Sequence, residues 1–483
     1  MAAVATVAAA CGGSSGGGST TTTKASASGS STTAAPSGSS TTASGSGSST
    51  TASGPASPGS FLGGAVTNGS TTGNKASAPG ITTTQILLGS TQPLTGPAAP
   101  GYDEISPGSN AIFQYVNAHG GIYGRKIKYL VENDQYDPAI TATATRKLVL
   151  QDNIFADFNP LGTPTDIAIQ PFLNSQKVPQ LFIASGCACW SDPKYPWSSG
   201  WQTNYIIEGK ILGKYIVDHY KGEKVGYIYQ NDEFGQDGVK GLDLQIPKSD
   251  VVSRQTYDTT TLSAGLGNQV AALKSAGVKV AVLYTIPAAT TLTLLAAAEI
   301  GYHPQWVVSS VGADPPTLTG LLKSISKGKA GGSLLNGMVS NDYLPAESDY
   351  ANPWVAAFRT IWKKYDTGQP WDGNTEYGMA VGYTMVELLA AAGRNPTRAS
   401  LMTTLETDGS HFPGPGLVPL SYSSTDHYGY QGSQIGVTEN GTYKLSGPVY
   451  VSTNNGPITT YTGTPTTPPA GFGLYVNHIA GGW

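Results

Sequence analysis

The chain has 483 residues, long enough for two or three domains, and a formal net charge of −4 from 27 basic and 31 acidic side chains. Only 12% of it is charged, and no run of Lys and Arg appears, which argues against a nucleic-acid-binding face. Three cysteines are too few for a disulfide scaffold, and their spacing fits no Cys/His zinc site.

The first of them, Cys11, follows Val7-Ala8-Ala9-Ala10 and precedes Gly12. Small residues before a Cys resemble a bacterial lipobox, so residues 1–11 read as a signal remnant and Cys11 as the lipidation site. The apolar stretch is short and lacks a positive n-region, which points to a start codon further upstream. From Gly12 to Gly80 the chain is almost wholly Gly, Ser, Thr, Ala and Pro, with Lys24 and Lys75 its only charges. Such a segment buries too little apolar surface to offset its ordering entropy and is expected to be a disordered tether. As a flexible coil it would span on the order of 45 Å. No later apolar run reaches the roughly 18 residues that a membrane span requires.

After Ile81 short β-branched runs alternate with helix-period segments. Strands are expected at 86–88, 126–132, 154–158, 178–183, 225–229 and 278–283. Helices are expected near 111–117, 139–151, 165–175, 206–220, 262–276 and 288–300. Gly120-Gly121 reads as a helix stop, and Asp137-Pro138 as an N-cap with Pro in the first turn. This alternation predicts an α/β fold with parallel sheets covered on both faces, and about 400 residues of it fit two lobes better than one.

Five motifs in order then carry a family resemblance. They are Pro93-Leu94-Thr95-Gly96-Pro97 after the first strand, Asn117-Ala118-His119-Gly120-Gly121-Ile122-Tyr123-Gly124-Arg125, and Asn133-Asp134-Gln135-Tyr136-Asp137-Pro138 with Arg146-Lys147-Leu148-Val149. Asn231-Asp232-Glu233-Phe234-Gly235 and Leu273-Lys274-Ser275-Ala276-Gly277 follow. From Ile81 onward the chain resembles the branched-chain amino-acid-binding proteins, class I periplasmic solute-binding proteins of ABC importers. Gly120, Gly121 and Arg125 read as fold punctuation rather than ligand contacts.

The resemblance implies two Rossmann-like lobes of the type I periplasmic-binding-protein fold, joined by three crossover hinge strands. Lobe one would take 81–204 and 337–415, and lobe two 205–336 and 416–483 with the C-terminal tail. It also implies a ligand carboxylate met at helix N-termini by two lobe-one loops. The polar candidates are Thr163, Thr165 and Ser185, with Gly186 and Cys187 as backbone donors; simple N-capping is the alternative. Tyr205, Tyr284 and Asp314 would close from lobe two, and Tyr102 lies on the first lobe-one loop. Asp314 suits a cation or the cap of a helix from Pro315 equally well. Cys-Ala-Cys at 187–189 departs from the family's Ser/Thr-rich turn, so an amide-bearing or aromatic solute competes with a branched-chain amino acid. Those two cysteines could form a disulfide, bind a soft metal or merely stiffen the loop.

No nucleophile elbow, zincin helix or phosphate loop occurs, so no enzyme and no cofactor or metal is expected. The function implied is that of a monomeric, lipid-anchored, extracytoplasmic binder of a small polar molecule that delivers it to ABC permease subunits, without nucleic acid. A sensor domain for a separate receptor is the first rival, and an extracellular hydrolase the second.

Overall fold

A computed structural model describes residues 70–366 and 368–468. Cys11, the tether up to residue 69 and the tail beyond 468 lie outside the described residues. The tether was expected to run to Gly80, and that expectation is corrected. Asn74 donates to the carbonyls of Thr83 and Tyr123, Lys75 N–H donates to Asn395 Oδ1, and Ser77 Oγ donates to Pro396 O. Side-chain amides and a hydroxyl thus tie the segment to the first lobe.

The first sheet is parallel and five-stranded. It holds β1 (Gln85–Gln92), β2 (Lys126–Asn133), β3 (Ala156–Phe158), β4 (Gln180–Ile183) and β5 (Ser198–Gly200), ordered β2-β1-β3-β4-β5. Its crossovers are α1 (Ile105–Ala118), α2 (Pro138–Leu150) and α3 (Thr163–Ser175). β3 and β4 are buried throughout, which is why they read as short apolar runs without alternation. Asp137 caps α2 as expected, accepting from the N–H groups of Ala139 and Ile140.

The chain then crosses through residues 201–204 into the second lobe. Here α4 (Tyr205–His219), β6 (Val225–Gln230), α5 (Glu233–Asp243), β7 (Val251–Tyr257), α6 (Gly267–Ser275) and β8 (Val280–Tyr284) follow in turn. α7 (Pro287–Glu299), β9 (Gln305–Val308), α8 (Pro315–Ile325) and β10 (Val339–Asp342) complete the run. The helix expected over 262–276 is broken. Gly265 takes φ 77°, which ends a 3₁₀ segment and separates it from α6.

β10 pairs with β9, so residues 339–342 belong to the second sheet and not to the return of the chain to lobe one. That return begins after Asp342 and carries α9 (Pro353–Tyr365) and α10 (Gly373–Ala391) onto α1, with α11 (Arg398–Asp408) against α10. The third crossover leads to β11 (Gly432–Glu439), β12 (Thr442–Val451) and β13 (Thr459–Thr460), an antiparallel extension. The second sheet is therefore ordered β13-β12-β11-β10-β9-β8-β6-β7. These are two lobes, each built on a parallel sheet, with the second sheet extended by antiparallel strands, as the resemblance implied.

α10 is apolar almost all round because it is sandwiched, and it lies against α1 at close range. A Cβ on Gly378 would stand 2.2 Å from the Ile105 carbonyl oxygen, and Ser109 Oγ donates to the Gly378 carbonyl at 2.7 Å. This contact matters for the site, since it fixes where the first turn of α10 points.

Candidate functional site

In an open α/β sheet, ligands bind beyond the carboxyl ends of the strands, where the topology reverses. Both sheets present those ends to one cleft, which encloses about 1000 Å³ of space including its mouth. Lobe one contributes the loops after β1, β3 and β4 and the start of α10. Lobe two contributes the start of α4, the turn into α5, and the loops after β8, β9 and β10.

The lobes are closed on each other by polar contacts. Tyr102 Oη donates to the Val311 carbonyl at 3.2 Å, and Gln230 Nε2 donates to Tyr136 Oη at 3.3 Å. Ala188 N–H donates to Asp237 Oδ2 at 2.7 Å, and Gly373 N–H to Asp314 Oδ1 at 3.0 Å. Each pair joins the first lobe to the second.

Of the residues selected from sequence, Tyr102, Thr163, Tyr205 and Asp314 line the cleft. Thr163 opens α3 behind Gly162, whose φ of 121° carries the chain over the helix terminus, and its hydroxyl lies 2.7 Å from Ser185 Oγ. Asp314 caps α8, taking Thr317 N–H and Oγ1 on Oδ2.

The other five stand behind the wall. Thr165 Oγ1 donates back to the Leu161 carbonyl, the local bond a hydroxyl makes in a first helical turn. Ser185 is fully buried; its Oγ accepts from Cys187 N–H, so that donor is consumed. The Gly186 carbonyl accepts Tyr205 N–H, and a Cβ at 186 would meet the Thr203 carbonyl at 2.5 Å. Cys187 and Cys189 are joined by a disulfide, and their loop is braced against α5 through Ala188. Tyr284 packs under Gly238 within the second lobe's core.

Sequence reading missed the most distinctive wall. Among the described residues the cleft is lined by four carboxylates, Asp314, Asp342, Glu347 and Glu376, by six tyrosines and Phe234, and by no Lys, Arg or His. Asp342 ends β10 and accepts from the N–H groups of Tyr343 and Leu344. Glu347 lies on the second crossover, and Glu376 sits in the first turn of α10, 1% exposed. Glu376 Oε1 has no hydrogen-bond partner, and neither does Asn341 Oδ1, a second buried acceptor on the wall.

Burial, reinforced by repulsion from Asp372 on Asp314, from Asp314 on Asp342, and from all three of these on Glu347, pushes Asp314 and Asp342 up to about 7 and Glu347 up to about 8. Glu376 is driven well above the usual range by burial and by repulsion, most of it from Glu347. Glu208, on α4, is also raised to about 7 by burial; it accepts Ser310 N–H at 2.6 Å and holds the Ser309–Ser310 turn at the rim. A faint signal existed for Glu376, as one of two carboxylates, with Glu387, in a largely apolar helix, but nothing local tied it to residues 342 and 347.

Two lobes hinged by three crossovers over a shared cleft define a solute-binding clamp. A periplasmic binding protein family model matches residues 85–442, and the chain belongs to that family. It is 25% identical over 303 residues to the Leu/Ile/Val-binding protein homolog 1 of Brucella abortus strain 2308, covering 60% of this chain and 74% of the relative. A fatty acid ABC transporter substrate-binding protein from Thermomonospora curvata superposes with a TM-score of 0.68 at 20% identity, over 80% of this chain and 99% of that one. A branched-chain amino acid ABC transporter structure from Thermus thermophilus with bound valine gives 0.65 at 19% identity, over 77% and 97%.

Proposed function

We propose that the protein is an extracytoplasmic, lipid-anchored solute-binding protein that captures an amino acid or related small amine between its lobes and hands it to the permease of an ABC importer. The observation that carries this reading is the interlobe cleft itself, walled by both sheets' strand ends and bridged by Tyr102 and Val311. The Brucella and Thermus relatives' names point to amino acids, and the Thermomonospora one's to fatty acids. No reaction is assigned to the cleft; its work is hinge closure, with the ligand favouring the closed state and shifting the population toward it.

The binding set proposed is Tyr102, Thr163, Tyr205 and Asp314, with Thr163 and the start of α3 receiving any anionic group. A thermal-shift screen of the full chain against amino acids, amines, amides and aromatic acids tests it. A solute present at about 100 times its Kd adds about 2.7 kcal/mol of stability. Deleting the gene should then abolish uptake of the same solute. Unchanged uptake would transfer the clamp to the sensor reading, and a library without any hit would refute solute binding of this kind. Loss of lipid incorporation in Cys11→Ala tests the anchor.

A further inference from the structure

Charge and hydrogen-bond parity in the cleft go together. Among the described residues four carboxylates line it without one basic side chain to balance them. Asp314 and Asp342 already accept backbone N–H groups, so part of their demand is met inside the protein. Glu376 Oε1 and Asn341 Oδ1 are different, because both are buried acceptors on the wall with nothing donating to them. An unmet buried acceptor is costly, and the matching partner is a donor that enters with the ligand. The remaining wall is aromatic: Tyr205 and Phe234 lie with ring centroids 4.7 Å apart, and Tyr102, Tyr343 and Tyr377 add further rings. Aromatic faces attract cations, most strongly where water is excluded.

We propose that the cargo is an organic cation of net positive charge, an alkylammonium, guanidinium or quaternary ammonium solute, whose head is held by Glu376 and Glu347 against the tyrosine wall. This rests on the solute-binding reading above and narrows its ligand class. A net-neutral branched-chain amino acid would add a further acid to a cleft lined by four that already repel one another, whereas a cation favours their ionised form. Among the described residues no group of three or more His, Cys, Asp or Glu is arranged to hold a metal ion, and the ring-lined wall suits an organic cation.

Isothermal titration calorimetry of the full chain with agmatine, putrescine and choline tests the proposal, with valine, benzoate and calcium chloride as controls. The expected result is that at least one organic cation binds with a Kd near ~1 μM while the controls do not. Glu376→Gln, nearly isosteric, should weaken that binding by about tenfold or more through loss of a charge-assisted hydrogen bond. Glu347→Gln, on the crossover rather than in the helix, should act in the same direction and keeps the test valid if the first variant fails to fold. Binding of valine, benzoate or calcium in place of the cations would overturn the proposal. So would cation binding that both variants leave unchanged. Those outcomes leave solute binding standing, whereas silence from every class of compound would count against that reading as well.

Discussion

Replacing Glu347 by Gln should make the empty protein more stable at neutral pH and leave it unchanged in acid. Glu347 is 8% exposed and feels the charges of Asp314, Asp342 and Asp372, and it acts in turn on Glu376 of α10; among the described residues no basic side chain lines the cleft. Its carboxyl is pushed up to about 8 from an ordinary value of 4.5, first by burial and then by those neighbours. A folded-state pKa raised in this way means that the native protein keeps a proton which the unfolded chain releases. Stability is then lost as pH climbs from about 4.5 to about 8, and the loss stays constant above that.

At 1.36 kcal/mol per pH unit, holding the proton up to pH 7 costs on the order of 3 kcal/mol. A fold of roughly 400 residues melts with an entropy near 0.8 kcal/mol/K, so recovering that cost raises Tm by about 3–4 °C. Differential scanning calorimetry of both proteins from pH 4 to pH 8.5 reads this directly. The gain should be absent at pH 4, grow through neutrality and level off near pH 8. An equal gain at pH 4 and pH 8, or a lower Tm for the variant at pH 8, would refute the reasoning.

Other contacts give sharper single-site tests. Tyr102→Phe removes the donor to Val311 that spans the cleft, at about 1 kcal/mol, so ligand affinity should fall roughly fivefold with faster amide exchange at the rim. Gly378→Ala drives a methyl group against the Ile105 carbonyl oxygen and should cost about 1–3 kcal/mol in a denaturant titration; an unchanged midpoint would show that α1 and α10 can separate freely. Arg125 is 1% exposed and donates to the carbonyls of Thr82, Arg394 and Lys75, so Arg125→Ala should cost at least ~3 kcal/mol and expose residues 70–80 to protease. Converting both Cys187 and Cys189 to Ser should leave ligand affinity within about twofold, because neither lines the cleft; a larger loss by calorimetry would show that the brace against α5 sets the closed geometry.

The sequence by itself determined the alternation of strand and helix, the caps and the glycine stops. Asp137-Pro138 starts α2 and Gly120-Gly121 ends α1, both with positive φ at the glycines, because caps and left-handed turns are decided within a few residues. The family motifs lie in those same local turns, so they too were legible. Strands whose pairing is distant were not. β10 joins β9 and β11, separated from the latter by three helices, and no local pattern records that partnership.

The candidate site divides along the same line. Thr163 and Tyr102 belong to loops that directly follow strands, where a parallel sheet always places its ligand face. Ser185, Gly186 and Tyr284 sit in equally plausible positions along the chain, yet a side chain's depth behind a wall is set by what packs in front of it. The acidic wall is the strongest case. Asp314, Asp342, Glu347 and Glu376 come from a helix cap, a strand end, a crossover and a buried helix, and only the closing of two lobes brings them together. Their charge was countable in the sequence, but its concentration in one desolvated space is a property of the tertiary fold, because burial and mutual repulsion act through space and not along the chain.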